Sequence, residues 1–414
     1  MAHVTIWIIS LLSIAGVIIR PYKFPEAIWA VLGAFLLLIF GLILPRDALK
    51  GILNGTDVYL FLTGMMLLAE TAREEKLFDW LASKATKLSQ GSSYRFFILI
   101  YLVGIVVTVF LSNDATAVVL TPAVAVAAKS AKIKKPLPFL LICAFIANAA
   151  SFVLPISNPA NLVIYKSHLP SLWQWLGQYS FPSLAAIIST FVLLGFTQRK
   201  YLYQKIESHN LEPKMTSGAK TALIGIAFTA IILLVCSAID IQLGLPTFVT
   251  GIATSAIVII RGTKKPWIII KGVSWSILPL VAGLFIIVEA LKKTGIINLL
   301  SGILQQRLAN SVTTATWLSG LITAYGCNLV NNLPAGLIVG NAIQPHHIPE
   351  ILKRAILIGI DLGPNLSVTG SLATILWLVA LRREGISISG WAFLKSGAII
   401  MSVALVFTLA SLWL

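Results

Sequence analysis

Four carboxylates sit where charge is costly. Glu70, Asp114, Glu289 and Asp361 lie inside or at the ends of long apolar runs. A carboxyl group at bilayer depth costs roughly 2.5–3.5 kcal/mol on insertion scales, so it persists only when paired, hydrated or protonated. Asp114 falls in the polar triplet Ser112-Asn113-Asp114, and Asp361 stands just before Gly363-Pro364. Both positions suit a group that takes up and releases a proton, which makes Asp114 and Asp361 the candidate proton-coupling pair. Ser112-Asn113-Asp114 is also good helix-capping chemistry. A cap needs no charge, however, and that favours a functional role. Glu70 and Glu289 read differently: Arg73 and Lys292-Lys293 follow within one turn, and an i,i+3 ion pair accounts for them.

Around these acids lies a larger set of neutral polar residues. Ser112, Asn113, Thr116, Asn158, Asn161, Asn328, Asn331, Asn332, Asn365 and Thr369 are the candidate substrate-binding residues, with Asn148, Ser151, Ser157 and Ser371 in the same stretches. Singly, each could be ordinary glue between membrane helices. Their clustering at four interruptions of apolar sequence argues for more. Amides and hydroxyls both donate and accept, which suits a neutral polyol-like solute or an anion held at helix N-termini. No Arg or Lys occurs in these stretches, which disfavours a di- or tricarboxylate. The five histidines fall in loops or near the terminus, and Cys143, Cys236 and Cys327 form no CxxC pair. Neither a metal site nor a cofactor is expected. Clustered aspartates for magnesium, a Ser–His pair in a span and a nucleotide-binding motif are all missing, so the sequence points away from an enzyme.

These residues need a membrane scaffold. Of the 414 residues, 57% are hydrophobic and only 11% charged, against about a quarter charged in soluble proteins. The net charge of +16 could suggest nucleic-acid binding, but the basic residues cluster between apolar runs, as in a polytopic membrane protein. Runs long enough to cross a bilayer occur near 3–19, 26–44, 57–72, 139–165, 172–197, 221–239, 244–260, 273–291, 355–381 and 391–413. The first lacks a basic leader and a cleavage site, so it reads as a span. Two runs carry helix breakers: Pro155 and Pro159 in one, Gly363-Pro364 in the other. Both should be broken near mid-membrane.

Residues 96–128 and 311–344 are apolar on either side of polar centres at 112–114 and 328–332. Lys and Arg flank the first on both sides, so it is expected to enter and leave on the cytoplasmic face. The resulting topology puts 23 Lys+Arg in inside loops and 8 in outside loops, with both termini on the non-cytoplasmic side. A twelve-span arrangement is the competitor. The expected fold is all-α: about ten transmembrane helices plus two re-entrant hairpins in two inverted-topology repeats. The N-terminal repeat covers 1–197, with an inward-opening hairpin 96–128 and a broken helix 139–165. A cytoplasmic linker spans 198–220. The C-terminal repeat covers 221–414, with an outward-opening hairpin 311–344 and a broken helix 355–381. Leu60–Leu77 aligns with Pro279–Ile296, pairing Gly64 with Gly283 and Glu70 with Glu289. Broken helices at matching positions of two inverted halves point to a transporter site.

The segments FLSNDATAVVLTPAV (110–124), VNNLPAGL (330–337), DLGPNLSVTGSLATILWL (361–378) and LTGMMLLAETAREEKLFDWLA (62–82) resemble the ArsB-type arsenite efflux family of the ion transporter superfamily. The resemblance covers nearly the whole chain. It implies a secondary antiporter of the inner (plasma) membrane that exports arsenite and antimonite in exchange for protons, conferring arsenical resistance. It also implies a scaffold subdomain beside a transport subdomain, and a soluble arsenite-stimulated ATPase as a partner of some members. The stretch ASFVLPISNPANLVIY (150–165) looks like a broader superfamily form. That leaves open another small anion or metalloid such as silicic acid, or a sodium/proton antiporter.

Overall fold

A computed structural model describes residues 2–165, 169–204, 206, 214–261, 266–344 and 348–414. The fold is an all-helical polytopic membrane protein, and its element order runs twice. The first pass opens with α1 (Ala2–Ile19), α2 (Glu26–Ile39), the short α3 (Pro45–Leu53) and α4 (Thr56–Glu74). It continues through α5 (Leu77–Leu88) to a hairpin of α6 (Ser93–Phe110), α7 (Asn113–Ala115) and α8 (Thr121–Ser130). It closes with α9 (Leu137–Ala149), α10 (Pro159–Tyr165) and α11 (Leu172–Gln198).

The second pass repeats this sequence of elements. It has α12 (Ser217–Ala238), α13 (Gly244–Arg261), the short α14 (Pro266–Gly272), α15 (Ile277–Lys293) and α16 (Ile296–Asn310). A hairpin of α17 (Val312–Val330) and α18 (Asn332–Ile343) follows. Then come α19 (Glu350–Leu362), α20 (Leu372–Arg383) and α21 (Gly390–Ala410).

Among the described residues, seven helices, α14 and α15 being joined as one, are long and apolar enough to span, and α3 with α4 forms an eighth bent by 48°. The broken segments fall short of this length because their prolines and glycines stop the helix part-way. α9 ends at Ala149, and the chain resumes as α10 after a 3-10 turn at Pro155–Ser157. α19 ends at Leu362, followed by a 3-10 turn at Gly363–Leu366 and then α20.

The repeat is inverted. Asp57 Oδ1, at the N-terminal end of α4, accepts from Gly244 N at 2.7 Å. The N-terminal end of α15 lies at the other end of α4, where Ser274 shares a cavity with Glu70. Equivalent helices α4 and α15 therefore run in opposite directions. Loop contacts sort the same way. On one face Thr216 Oγ1 donates to Glu75 O (3.2 Å), and Lys135 Nζ sits 4.7 Å over the Tyr201 ring. On the other, Lys293 pairs with Asp47 and Trp7 Nε1 donates to Thr294 Oγ1 at 2.9 Å.

The halves exchange helices: α2 packs along α15 and α13 along α4. Small residues make the close approach possible. A methyl on Gly251 would fall 2.6 Å from Gly64 O, and one on Gly283 would fall 2.7 Å from Ala30 C. Gly64 and Gly283 are the pair matched in the sequence repeat. The surface of α12 is apolar, with Ile224, Phe228, Ile231 and Val235 exposed along one stripe, as a lipid-facing helix requires. By contrast α9 is buried almost throughout and forms the centre of the core.

Candidate transport site

The two breaks and the two hairpin tips converge. One cavity is bounded by Asn113 and Asp114 from the first tip, Asn158 and Pro159 from the first break, and Asn332 and Leu333 from the second tip. Leu372 and Ala373, just after the second break, complete that wall, and Leu62 of α4 with Ile277 and Val281 of α15 forms the opposite one. The space measures about 20 Å³, room for one water-sized guest. Beside it lies a second pocket of about 50 Å³ that shares Leu62, Asp114, Pro159 and Ile277 and is also lined by Ser112, Glu70 and Ser274. Among the described residues no Lys or Arg lines either space.

Local chemistry fixes each part. At the first tip Ser112 Oγ accepts from Ala115 N (3.2 Å) and Asn113 Oδ1 from Asp114 N (2.9 Å), so the triplet does cap the returning arm. Capping uses Ser112 and Asn113 and leaves the half-buried Asp114 carboxylate facing both pockets. Thr116 is fully buried and bonds Thr108 Oγ1 at 2.8 Å, closing the hairpin rather than facing the cavity. At the second tip Asn331 adopts φ 72° and ψ 150°, a backbone conformation outside the left-handed helical region that side-chain-bearing residues rarely take up. Its Nδ2 donates to Thr369 O at 3.3 Å, and Asn332 N donates to Gly370 O at 2.8 Å.

Each break frees carbonyl groups that need partners inside the membrane, and one asparagine serves each. Asn161 Nδ2 reaches Ser151 O (3.0 Å), Leu154 O (3.4 Å) and Pro155 O (3.3 Å). Asn328 Nδ2 donates to Gly363 O (3.0 Å), its Oδ1 accepts from Ser367 Oγ (2.7 Å), and Thr369 Oγ1 donates to Asn328 O (3.2 Å). The breaks are also tied together. Asn148 Nδ2 donates to Asn365 Oδ1, and Asn365 Nδ2 to Phe145 O, both at 3.0 Å. Asn158 Nδ2 donates to Asp361 Oδ1 at 2.8 Å. Asp361 is completely buried, and its Oδ2 has no hydrogen-bond partner among the described residues.

The sequence-derived candidates thus divide. Ser112, Asn113, Asp114, Asn158 and Asn332 border the cavities. Asp361 sits one side chain behind, against Asn158. Thr116, Asn161, Asn328, Asn331, Asn365 and Thr369 bond the backbone or one another around the cavity. Glu70 pairs with Arg73 and Glu289 with Lys292, both i,i+3, although Glu70 also borders the wider pocket. Cys327 is buried and bonds Ala324 O. His168, His209, His346 and His347 lie outside the described residues. The apolar wall of Leu62, Ile277, Val281, Leu372 and Ala373 was not singled out in the sequence, since nothing distinguishes it there from lipid-facing residues.

Residues 7–359 match the CitMHS family, described as citrate transporters. The chain belongs to this family. It is a multi-pass membrane transporter rather than an enzyme. It is 28% identical to the arsenical pump membrane protein of Escherichia coli K12 over 98% of this chain and 97% of that one. It is 26% identical to a putative arsenical pump membrane protein of Bacillus subtilis over 95% of both chains. Its fold is similar to that of the Alcanivorax borkumensis YdaH transporter, whose crystal structure shows an unusual topology. The TM-score is 0.58 at 14% identity, covering 88% of this chain and 86% of that one.

Proposed function

We propose that this transporter exports neutral trivalent metalloid hydroxides, arsenite and antimonite, in exchange for protons. The observation that carries the reading is the character of the cavity. It presents amides, the Ser112 and Ser274 hydroxyls and the Asp114 and Glu70 carboxylates, with no cationic side chain among its described lining. A citrate trianion there would meet Asp114 and no compensating Lys or Arg, whereas an uncharged hydroxide finds donors and acceptors for its OH groups. The names of the arsenical pump relatives support the same cargo.

In this reading Ser112, Asn113, Asn158 and Asn332 contact the solute. Thr116, Asn161, Asn328, Asn331, Asn365 and Thr369 hold the breaks and tips in shape around it. Asp114 exchanges protons with the cavity directly, and Asp361, held by the Asn158 amide, is the second titrating group beside it. The face rich in Lys and Arg loops is cytoplasmic, which places both termini on the opposite side of the inner membrane. The first hairpin then opens inward and the second outward.

Everted membrane vesicles test the proposal. Imposing a pH gradient, acid inside, should drive uptake of arsenite and antimonite, and collapsing it with a protonophore should stop uptake. Flux that needs sodium, or that carries citrate and ignores arsenite, would overturn the reading. Silicic acid is the second cargo that this lining fits, and competition against arsenite uptake separates the two.

A further inference from the structure

A separate crevice opens between α1 and α20. It measures about 460 Å³ and lies outside the transport cavity. Its floor is aliphatic, formed by Ile18, Ile375, Leu378 and Val379, and its inner end reaches Thr369 beside the second break. Its mouth carries three guanidinium groups, Arg20, Arg382 and Arg383. Arg20 Nη1 lies 3.1 Å from Glu26 Oε1, but its buried Nε has no hydrogen-bond partner among the described residues. Arg382 and Arg383 are exposed and make no ion pair among the described residues. Glu26 offsets one charge, so the mouth keeps a net positive charge over an apolar slot.

We infer that this crevice binds one anionic glycerophospholipid, its phosphate held by Arg20, Arg382 and Arg383 and an acyl chain lying along the aliphatic floor. Charge complementarity selects the occupant. A slot open to hydrocarbon fills with an acyl chain, and two uncompensated arginines at headgroup level favour a lipid with net negative charge over a zwitterionic one. A soluble anion would use the arginines and leave the floor empty. The two walls belong to different parts of the molecule. α1 packs with α2 and α15, whereas α20 begins at Leu372 and Ala373 in the cavity wall. A lipid bridging them joins the outer helices to an element that shapes the transport site, so its presence stabilises their relative position.

The test needs no transport substrate, so it stands or falls apart from the cargo assignment. Purified protein in neutral detergent is titrated with phosphatidylglycerol, phosphatidylcholine or inorganic phosphate. Bound lipid is read by native mass spectrometry and thermal stability by melting. Phosphatidylglycerol should bind and raise the melting temperature, while phosphatidylcholine and phosphate should do neither. The double variant R382Q/R383Q should melt like wild type without added lipid. It should bind phosphatidylglycerol roughly thirtyfold more weakly, about fivefold for each arginine lost. Leu378→Asn should also weaken binding while leaving both arginines in place. Equal response to the two lipids, stabilisation by phosphate alone, or unchanged affinity in R382Q/R383Q would each overturn the inference.

Discussion

The side-chain amide of Asn158 donates to the carboxylate of Asp361 across 2.8 Å, joining the break of the first repeat to the helix that enters the break of the second. Asn158 Oδ1 meanwhile accepts from Ala160 N at 3.0 Å, at the start of α10. One residue therefore starts a helix, lines the cavity and supports the buried acid. The fourth carboxylate–amide atom, Asp361 Oδ2, has no hydrogen-bond partner among the described residues.

Breaking this link should cost stability in a way that reveals the pairing. Asn158→Leu removes the amide donor to the buried Asp361 Oδ1 and should destabilise the protein by about 1–3 kcal/mol, the range for leaving a buried acceptor unsatisfied. The double variant with Asp361→Leu should lose clearly less than the sum of the two single changes. Melting in detergent measures both, and strict additivity would refute the coupling.

The two acids should separate in transport assays. Asp114→Asn keeps the cap made by Ser112 and Asn113 but removes a titrating group from the cavity wall. Downhill arsenite efflux should persist, and its acceleration by an imposed proton gradient should vanish. Asp361→Asn should also abolish gradient-driven transport. If either variant in vesicles follows the gradient as wild type does, that residue is not a coupling group.

Gly64 and Gly283 should tolerate no bulk. Gly64 Cβ would run into Thr247 O, and Gly283 Cβ would lie 2.7 Å from Ala30 C. These obstacles are backbone and cannot rotate away. Gly64→Leu and Gly283→Leu should each lower the yield of monodisperse protein on size-exclusion chromatography, whereas Gly302→Leu, with open space at its Cβ position, should not.

Glu289→Gln should be mild. Its partner Lys292 is about a third exposed, with Nζ 2.8 Å from Glu289 Oε2, and pairs of this kind contribute under about 1 kcal/mol. Melting temperature should move by a few degrees at most, and arsenite flux should stay near wild type.

Much of this arrangement is written locally in the chain. Pro155, Pro159, Gly363 and Pro364 mark the breaks because proline and glycine stop helices wherever they fall. Asn113 and Asn331-Asn332 mark the tips because amides are rare inside apolar runs. Other features depend on partners distant in sequence. The amide pairing of Asn148 with Asn365 links residues 217 apart, and no spacing rule announces it. The division of labour between Asn158, which faces the cavity, and Asn161, which caps the break, comes from backbone direction after Pro159. The short helices α3 and α14 read as loops because each is too brief to show a membrane-length apolar run. Even so, a methyl on Gly51 would lie 3.3 Å from Glu289 Cβ, and one on Gly272 would run into the Glu70 carboxylate.

The swapped packing of α2 on α15 and α13 on α4 has a consequence for biogenesis. While the ribosome is still making the second half, α2 and α4 are already in the bilayer with their glycine-faced sides uncovered. Neither half can reach its final arrangement alone. Two fragments divided within 198–220 should assemble only when translated together in one cell, and either one produced singly should be cleared by membrane proteases.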